Sequence, residues 1–132
     1  MPVTTWYSIF VSPTRNIHYF TLELPEPLDE GINEAQMKLV ADRSPTDGRR
    51  LTVTYRVHAE IHGPFIAVLA KDDKTPSDGL NVMVLKRNEK NTALDGTFTW
   101  NSLTSGTIKS ENIHWTSTPS ESHRRMTEPQ SC

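Results

Sequence analysis

Alternation between apolar and polar residues is the dominant pattern along this chain. In residues 51–62 (LTVTYRVHAEIH), apolar side chains occupy every odd position and polar ones every even position, as is typical of a half-buried β-strand. The length of this segment exceeds the usual strand of about five or six residues, which favours a strand that curves around a barrel or long sandwich. The sequence leaves open which face points inward. An apolar interior would suit a hydrophobic ligand, whereas a polar interior would place Arg56 and His58 around a bound anion.

Other strand-sized segments follow between turn signals. Segment 65–70 (FIAVLA) is apolar on both faces, which predicts a central or covered strand, and residues 25–34 (PEPLDEGINE), with two prolines and four acidic residues, predict a loop. The remaining strand candidates are residues 6–11, 17–24, 36–42, 80–86 and the two arms of a hairpin within 94–115. About eight short strands without a long helix predict an all-β fold of antiparallel strands, a small lipocalin-like β-barrel.

The final hairpin changes phase in its second arm. The first arm is apolar at even positions, and Ile108 keeps that register, but Ile113 and Trp115 are odd-numbered. A β-bulge near residues 110–112 would reset which side chains face inward and would increase the twist, so the change of phase predicts a strongly coiled sheet. Gly96 is expected to permit tight coiling in the first arm.

Composition bounds the class of protein. The 132 residues suit one domain; we assign residues 1–117 to the barrel and residues 118–132, which lack periodicity, to a disordered tail. The formal net charge of −2 does not favour binding of a DNA or RNA polymer. A single cysteine at Cys132, the lack of a signal-peptide pattern and the lack of a membrane-span pattern predict a soluble chain in the cytoplasm.

Catalytic and metal-binding patterns are weak in this sequence. His58 and His62 would share a strand face but lie roughly 13 Å apart, at about 3.3 Å per residue, too far to chelate one ion as a pair. No nucleophile elbow and no glycine-rich phosphate loop are present. We therefore expect a protein that is not an enzyme and that has no metal site and no cofactor.

Aromatic and basic side chains on the strand segments favour ligand binding. Aromatic faces stack on bases, and basic side chains bind phosphate. We assign Tyr7, Tyr55 and Trp100 as stacking partners and Arg56 and Lys86 as phosphate contacts. The alternative for each residue is structural, with the aromatic rings packed in the core and Arg56 in water. An eight-stranded barrel is wide enough to hold one small ligand.

The segments GRRLTVTYRVHAEIHGPFIAVLA, GLNVMVLKRN and LDGTFTWNSLTSGTIKSENIHW, within residues 48–115, resemble the β-barrel domain of the β-strand-rich antiphage effectors of CBASS (cyclic-oligonucleotide signalling) systems. The resemblance implies a lipocalin-like barrel that binds a cyclic dinucleotide in antiviral defence. In that family the barrel is usually fused to two N-terminal transmembrane helices, for which this sequence has no pattern. The resemblance assigns no individual ligand residue.

These observations predict a non-enzymatic sensor module that binds a small molecule, a cyclic dinucleotide or related nucleotide, inside the barrel. A lipocalin-like carrier of an apolar ligand and a protein–protein interaction module are the alternatives. A homo-oligomer is compatible with each of them.

Overall fold

The alternating segments of the sequence form eight antiparallel strands that close into a barrel. The computed structural model describes residues 3–11, 17–25, 31–41, 51–72, 80–102 and 106–127. The strands are β1 (Val3–Val11), β2 (Ile17–Pro25), β3 (Gly31–Ala41), β4 (Leu51–His62), β5 (Phe65–Asp72), β6 (Asn81–Arg87), β7 (Ala93–Ser102) and β8 (Thr107–Thr116), followed by the helix α1 (Glu121–Thr127). The expected all-β antiparallel barrel is confirmed.

Each strand pairs with its neighbour in the chain, and β8 returns to β1. The pairing of β3 with β4 is the longest, whereas register pairing between the described residues of β1 and β8 is confined to Tyr7 and Thr116. The Ser8 hydroxyl donates a hydrogen bond of 2.7 Å to the His114 carbonyl across this seam. A side-chain hydrogen bond thus helps to join β1 to β8, whereas backbone pairing joins the other neighbouring strands.

The apolar face of β4 points into the barrel. Tyr55, Val57, Ala59 and Ile61 are buried, while Arg56 on the opposite face is exposed. The interior is therefore apolar, which decides between the two orientations of this strand that the sequence left open. Inward-facing side chains from all eight strands form one core, which includes Trp6, Phe10, Leu22, Met37, Val57, Ile66, Met83, Leu85, Leu94 and Trp115.

Two strand predictions need correction. The loop predicted for residues 25–34 is wrong at both ends, since Pro25 ends β2 and β3 begins at Gly31, with its φ of 99°; residues 26–30 lie outside the described part. Segment 65–70 is a strand, but its outer face is not covered: the Phe65 side chain is 50% exposed. β5 is central, since it pairs with β4 and β6, but the apolar residues on its outer face do not mark a covered strand.

The predicted β-bulge in the final hairpin is wrong. Register pairing of β7 with β8 runs without interruption from Ala93 with Thr116 to Ser102 with Thr107. Ile108 lies on the outer face and is 77% exposed. The pattern changes phase in the sequence because this apolar residue faces water. Gly96 allows β7 to approach β6 closely, since a Cβ atom there would lie 1.8 Å from a backbone oxygen of β6.

Part of the segment that we assigned to a disordered tail forms α1. Its His123 ring is buried, and Nε2–H donates a hydrogen bond of 2.8 Å to the Phe20 carbonyl. The same ring contacts Tyr7 and Tyr19 edge-on, at centroid distances of 5.2 and 5.7 Å. Packing of one histidine on the outside of the barrel thus anchors a segment without apolar periodicity. No helix in the described part of the chain is long and apolar enough to cross a membrane.

Candidate functional site

Aromatic rings gather at one end of the barrel interior. Phe10 from β1 and Phe20 from β2 meet Phe98 from β7 edge-on, at centroid distances of 5.3 and 5.6 Å. Trp100 stacks on Phe98 at 4.9 Å and 25° and meets Phe10 edge-on at 5.4 Å. Offset-stacked and edge-on pairs are the favoured aromatic geometries. The rings therefore form a rigid floor across this end of the barrel.

The wall of the barrel continues beyond this floor along β8. Lys109 pairs with Trp100 and Glu111 pairs with Phe98 in the β7–β8 register. Residues directly opposite on antiparallel strands share a face, so both charged side chains belong to the inner face, and yet both are exposed. These two positions therefore make part of the inner face accessible to solvent. We call this part the aromatic cup, with Phe10, Phe98 and Trp100 as its floor and Lys109 and Glu111 on its wall.

His18 lies next to the floor of the aromatic cup. Its ring is nearly parallel to that of Phe20, at 6.2 Å and 18°, and lies 6.1 Å from that of Phe10. The Nδ1 atom is buried without a hydrogen-bond partner in the described part of the chain. Burial lowers the pKa of His18, which favours the neutral imidazole, with one nitrogen donating and the other accepting.

Two buried side chains with hydrogen-bonding groups also lie on the inner face at this end of the barrel. Tyr55 on β4 points inward and is 8% exposed, and Asn81, which pairs with Trp100 from β6, is 6% exposed. Trp100 itself is only partly buried. Among Phe10, Phe98 and Trp100, the ring of Trp100 is thus the one most accessible to a ligand.

Below the floor, the described interior is closely packed. Leu22, Leu24, Val57, Met83 and Leu85 are at most 1% exposed. A side chain that a water-sized sphere cannot touch does not line a ligand cavity. A ligand bound within the barrel would therefore contact the aromatic cup rather than these residues.

The five residues assigned from the sequence do not form a single site. Tyr55 and Trp100 lie on the inner face near the aromatic cup, as the stacking assignment requires. Tyr7, Arg56 and Lys86 lie on the outer face, each in a different place. These five residues therefore do not share one interior site, because alternation sends the even-numbered residues of β4 and β6 and the odd-numbered residues of β1 outward.

The three outer residues have separate surroundings. Tyr7 borders a cavity of about 230 Å³ at the β1–β8 seam, beside His123. Arg56 borders a shallow groove of about 370 Å³, opposite Lys71 on the neighbouring strand. The Lys86 ammonium lies 5.8 Å from the centroid of the Phe65 ring on the outside of β5 and β6. None of these three surroundings includes Trp100.

Sequence reasoning missed Lys109, Glu111 and His18. The alternation of β8 places Lys109 on the same face as Trp115, but the proposed bulge would have moved it outward. The signal for His18 was its position in the same alternating strand as Phe20. Correct strand registers would have located all three residues.

The described residues contain no group of three or more histidine, cysteine, aspartate or glutamate side chains that could hold a metal ion. Histidine–carboxylate contacts occur only in pairs among these residues, as between His58 and Glu34 at 3.2 Å and between His114 and Asp95. Both pairs lie on the outer face and are exposed.

No family model, curated protein or solved structure matches this chain significantly.

Proposed function

We propose that this protein is a non-enzymatic binding module for a nucleotide, and that the aromatic cup is its binding site. The observation that carries the proposal is the pairing of a partly exposed Trp100 with Lys109 directly opposite on the inner face. A nucleotide needs a flat apolar surface for its base and a cation for its phosphate. These two side chains supply both on neighbouring strands.

Stacking on Trp100 would supply most of the base affinity. Base–aromatic stacking contributes about 1–3 kcal/mol per base and tolerates different bases. The Trp100 ring is held in place by Phe98 behind it and Phe10 at its edge. A ring that is already fixed loses little conformational freedom when a ligand binds.

Lys109 would contact the phosphate. Side chains directly opposite on antiparallel strands have Cβ atoms about 4.5–5.5 Å apart. One nucleotide can therefore contact both, with its base on Trp100 and its phosphate on Lys109. Glu111 lies two residues along the same face and would repel a second phosphate. Because Arg56 and Lys86 point outward, we propose Lys109 for the phosphate contact instead.

A cyclic dinucleotide is the ligand class that the resemblance over about residues 49–115 implies. It would offer one base to Trp100 and one phosphate to Lys109, with its second phosphate turned away from Glu111. The closely packed core below the floor favours a ligand that caps the barrel end rather than one that enters it. This would be a sensor that binds its ligand at one end of the barrel, in keeping with an antiviral signalling role.

Isothermal titration calorimetry with cyclic di-AMP, cyclic di-GMP, cyclic GMP-AMP and the corresponding mononucleotides tests the proposal. We expect Trp100→Ala to weaken binding about fivefold or more, because one stacking surface contributes about 1–3 kcal/mol. Trp100→Phe should retain most of the affinity. Lys109→Gln should weaken binding and reduce its dependence on salt.

Arg56→Ala and Lys86→Ala are matched controls, because each removes an exposed cation from the outer face. Both should bind like the wild type. Absence of binding by every nucleotide would overturn the proposal. A loss of binding in Arg56→Ala with none in Trp100→Ala would move the site to the outer groove and would equally refute the aromatic cup.

A further inference from the structure

The outer faces of β5 and β6 form one apolar surface with a cation at each end. We call this surface the β5–β6 ridge. Its outward-facing residues with described side chains are Phe65, Ala67, Leu69 and Lys71 on β5 and Val82, Val84 and Lys86 on β6. Five of these seven are apolar, two are lysines, and none is a carboxylate. The outer faces of both neighbouring strands do carry carboxylates, such as Glu60 on β4 and Asp95 on β7.

The apolar part of the ridge is continuous and meets solvent. Strand register places Ala67 beside Val84 and Leu69 beside Val82. Phe65, Val82 and Val84 are 50%, 40% and 52% exposed. The helix α1 packs against β1 and β2, away from the ridge. Contiguous exposed apolar side chains with a polar border are typical of interaction surfaces.

Positive charge marks both ends of the ridge. The Lys86 ammonium lies over the Phe65 ring at one end, and Lys71 lies opposite Arg56 at the other. Phe65 and Lys71 are six positions apart on β5, which is roughly 20 Å at about 3.3 Å per residue. Asp95 lies directly beside Lys86 in the β6–β7 register, but its carboxylate contacts His114 on β8, on the side of β7 away from the ridge.

We propose that the β5–β6 ridge docks onto an anionic lipid bilayer surface. Apolar side chains would enter the boundary between headgroups and acyl chains, and the lysines would contact anionic headgroups at both ends. A second copy of this chain fits less well. Whether two ridges met parallel or antiparallel, lysines of one copy would face lysines of the other, and like charges repel.

Flotation of the full chain with vesicles tests this inference. The two probes are vesicles of phosphatidylcholine alone and of phosphatidylcholine mixed with phosphatidylglycerol. We expect binding to the mixed vesicles only, and we expect high salt to weaken it. Lys71→Glu and Lys86→Glu should each weaken binding about fivefold or more, since a basic residue near an anionic membrane contributes about that factor. Val84→Ser should weaken binding through lost insertion.

Two control variants match these changes elsewhere on the barrel. Lys38→Glu reverses an exposed cation on the outer face of β3, and Ile108→Ser removes an exposed apolar side chain of β8. Both should bind like the wild type. Circular dichroism melting checks that each variant folds.

Three results would overturn the inference. One is failure of the wild type to float with the mixed vesicles, and another is equal weakening by Lys38→Glu and Lys86→Glu. The third is a dimer in sedimentation velocity that Val84→Ser abolishes, because the ridge would then bind a second copy. The nucleotide titrations use different residues, so either proposal can fail while the other holds.

Discussion

Replacement of Gly96 by alanine should destabilise the barrel strongly. A Cβ atom at this position would lie 1.8 Å from the carbonyl oxygen of Val84, 2.8 Å from its carbonyl carbon and 2.9 Å from the Cα of Leu85. All three are backbone atoms, so no side chain can rotate to make room, and β6 and β7 must move apart. Overpacking of a core costs about 1–3 kcal/mol. Because backbone pairing is disturbed as well, we expect a loss of about 3 kcal/mol in the free energy of unfolding.

That loss should be visible in thermal melting. An entropy of unfolding of about 2.1 cal/mol/K per residue gives about 0.28 kcal/mol/K for this chain, so the melting temperature should fall by about 10 °C. Gly63→Ala is the matched control: its φ is 60°, but no atom lies within 4 Å of the added Cβ. Its cost should be only the left-handed backbone strain of about 1–2 kcal/mol. If Gly96→Ala melts at or above the temperature of Gly63→Ala, the argument from close strand approach is refuted.

Three further substitutions test the seam, the helix and the cup. Ser8→Ala should lower the free energy of unfolding in urea by about 1–3 kcal/mol, because the His114 carbonyl loses a buried donor at the barrel seam. His123→Ala should cost about 2 kcal/mol through loss of its hydrogen bond to Phe20, and should speed amide hydrogen exchange in α1; unchanged exchange would contradict its anchoring role. Burial lowers the pKa of His18 from its ordinary 6.5, so as pH falls through that value the unfolded chain binds the proton first and stability decreases. His18→Gln should reduce this dependence in urea midpoints measured from about pH 8 to about pH 5; an identical dependence in wild type and variant would exclude His18 as a contributor.

Strand periodicity was sufficient to predict the architecture but not the position of each charge. Alternation in β4 identified the strand and its two faces, and closure then required the apolar face to be inside. With that decision made, Arg56 had to lie outside. The sequence could not make the decision alone, because a polar interior around an anion is physically allowed and only the sum of all eight strands excludes it.

The docking of α1 was not predictable from local pattern. Its seven residues carry no apolar stripe, and its attachment depends on one histidine whose partner, Phe20, is 103 positions earlier in the chain. Contacts over such a separation leave no periodic signal. The solvent exposure of β5 was not predictable for a related reason. An apolar outer face has the same sequence pattern whether another element of the chain covers it or leaves it exposed.

The change of phase in β8 is where the prediction failed most usefully. An apolar residue in the outward register was interpreted as a bulge, on the assumption that apolar side chains of a barrel strand face inward. The uninterrupted register shows that β8 keeps its phase and that its charged residues, Lys109 and Glu111, lie on the inner face above the packed core. Charged residues on the inner face of the closing strand, with aromatic residues opposite, indicate a part of the interior that meets solvent. The change of phase that predicted a coiled strand therefore marks the aromatic cup.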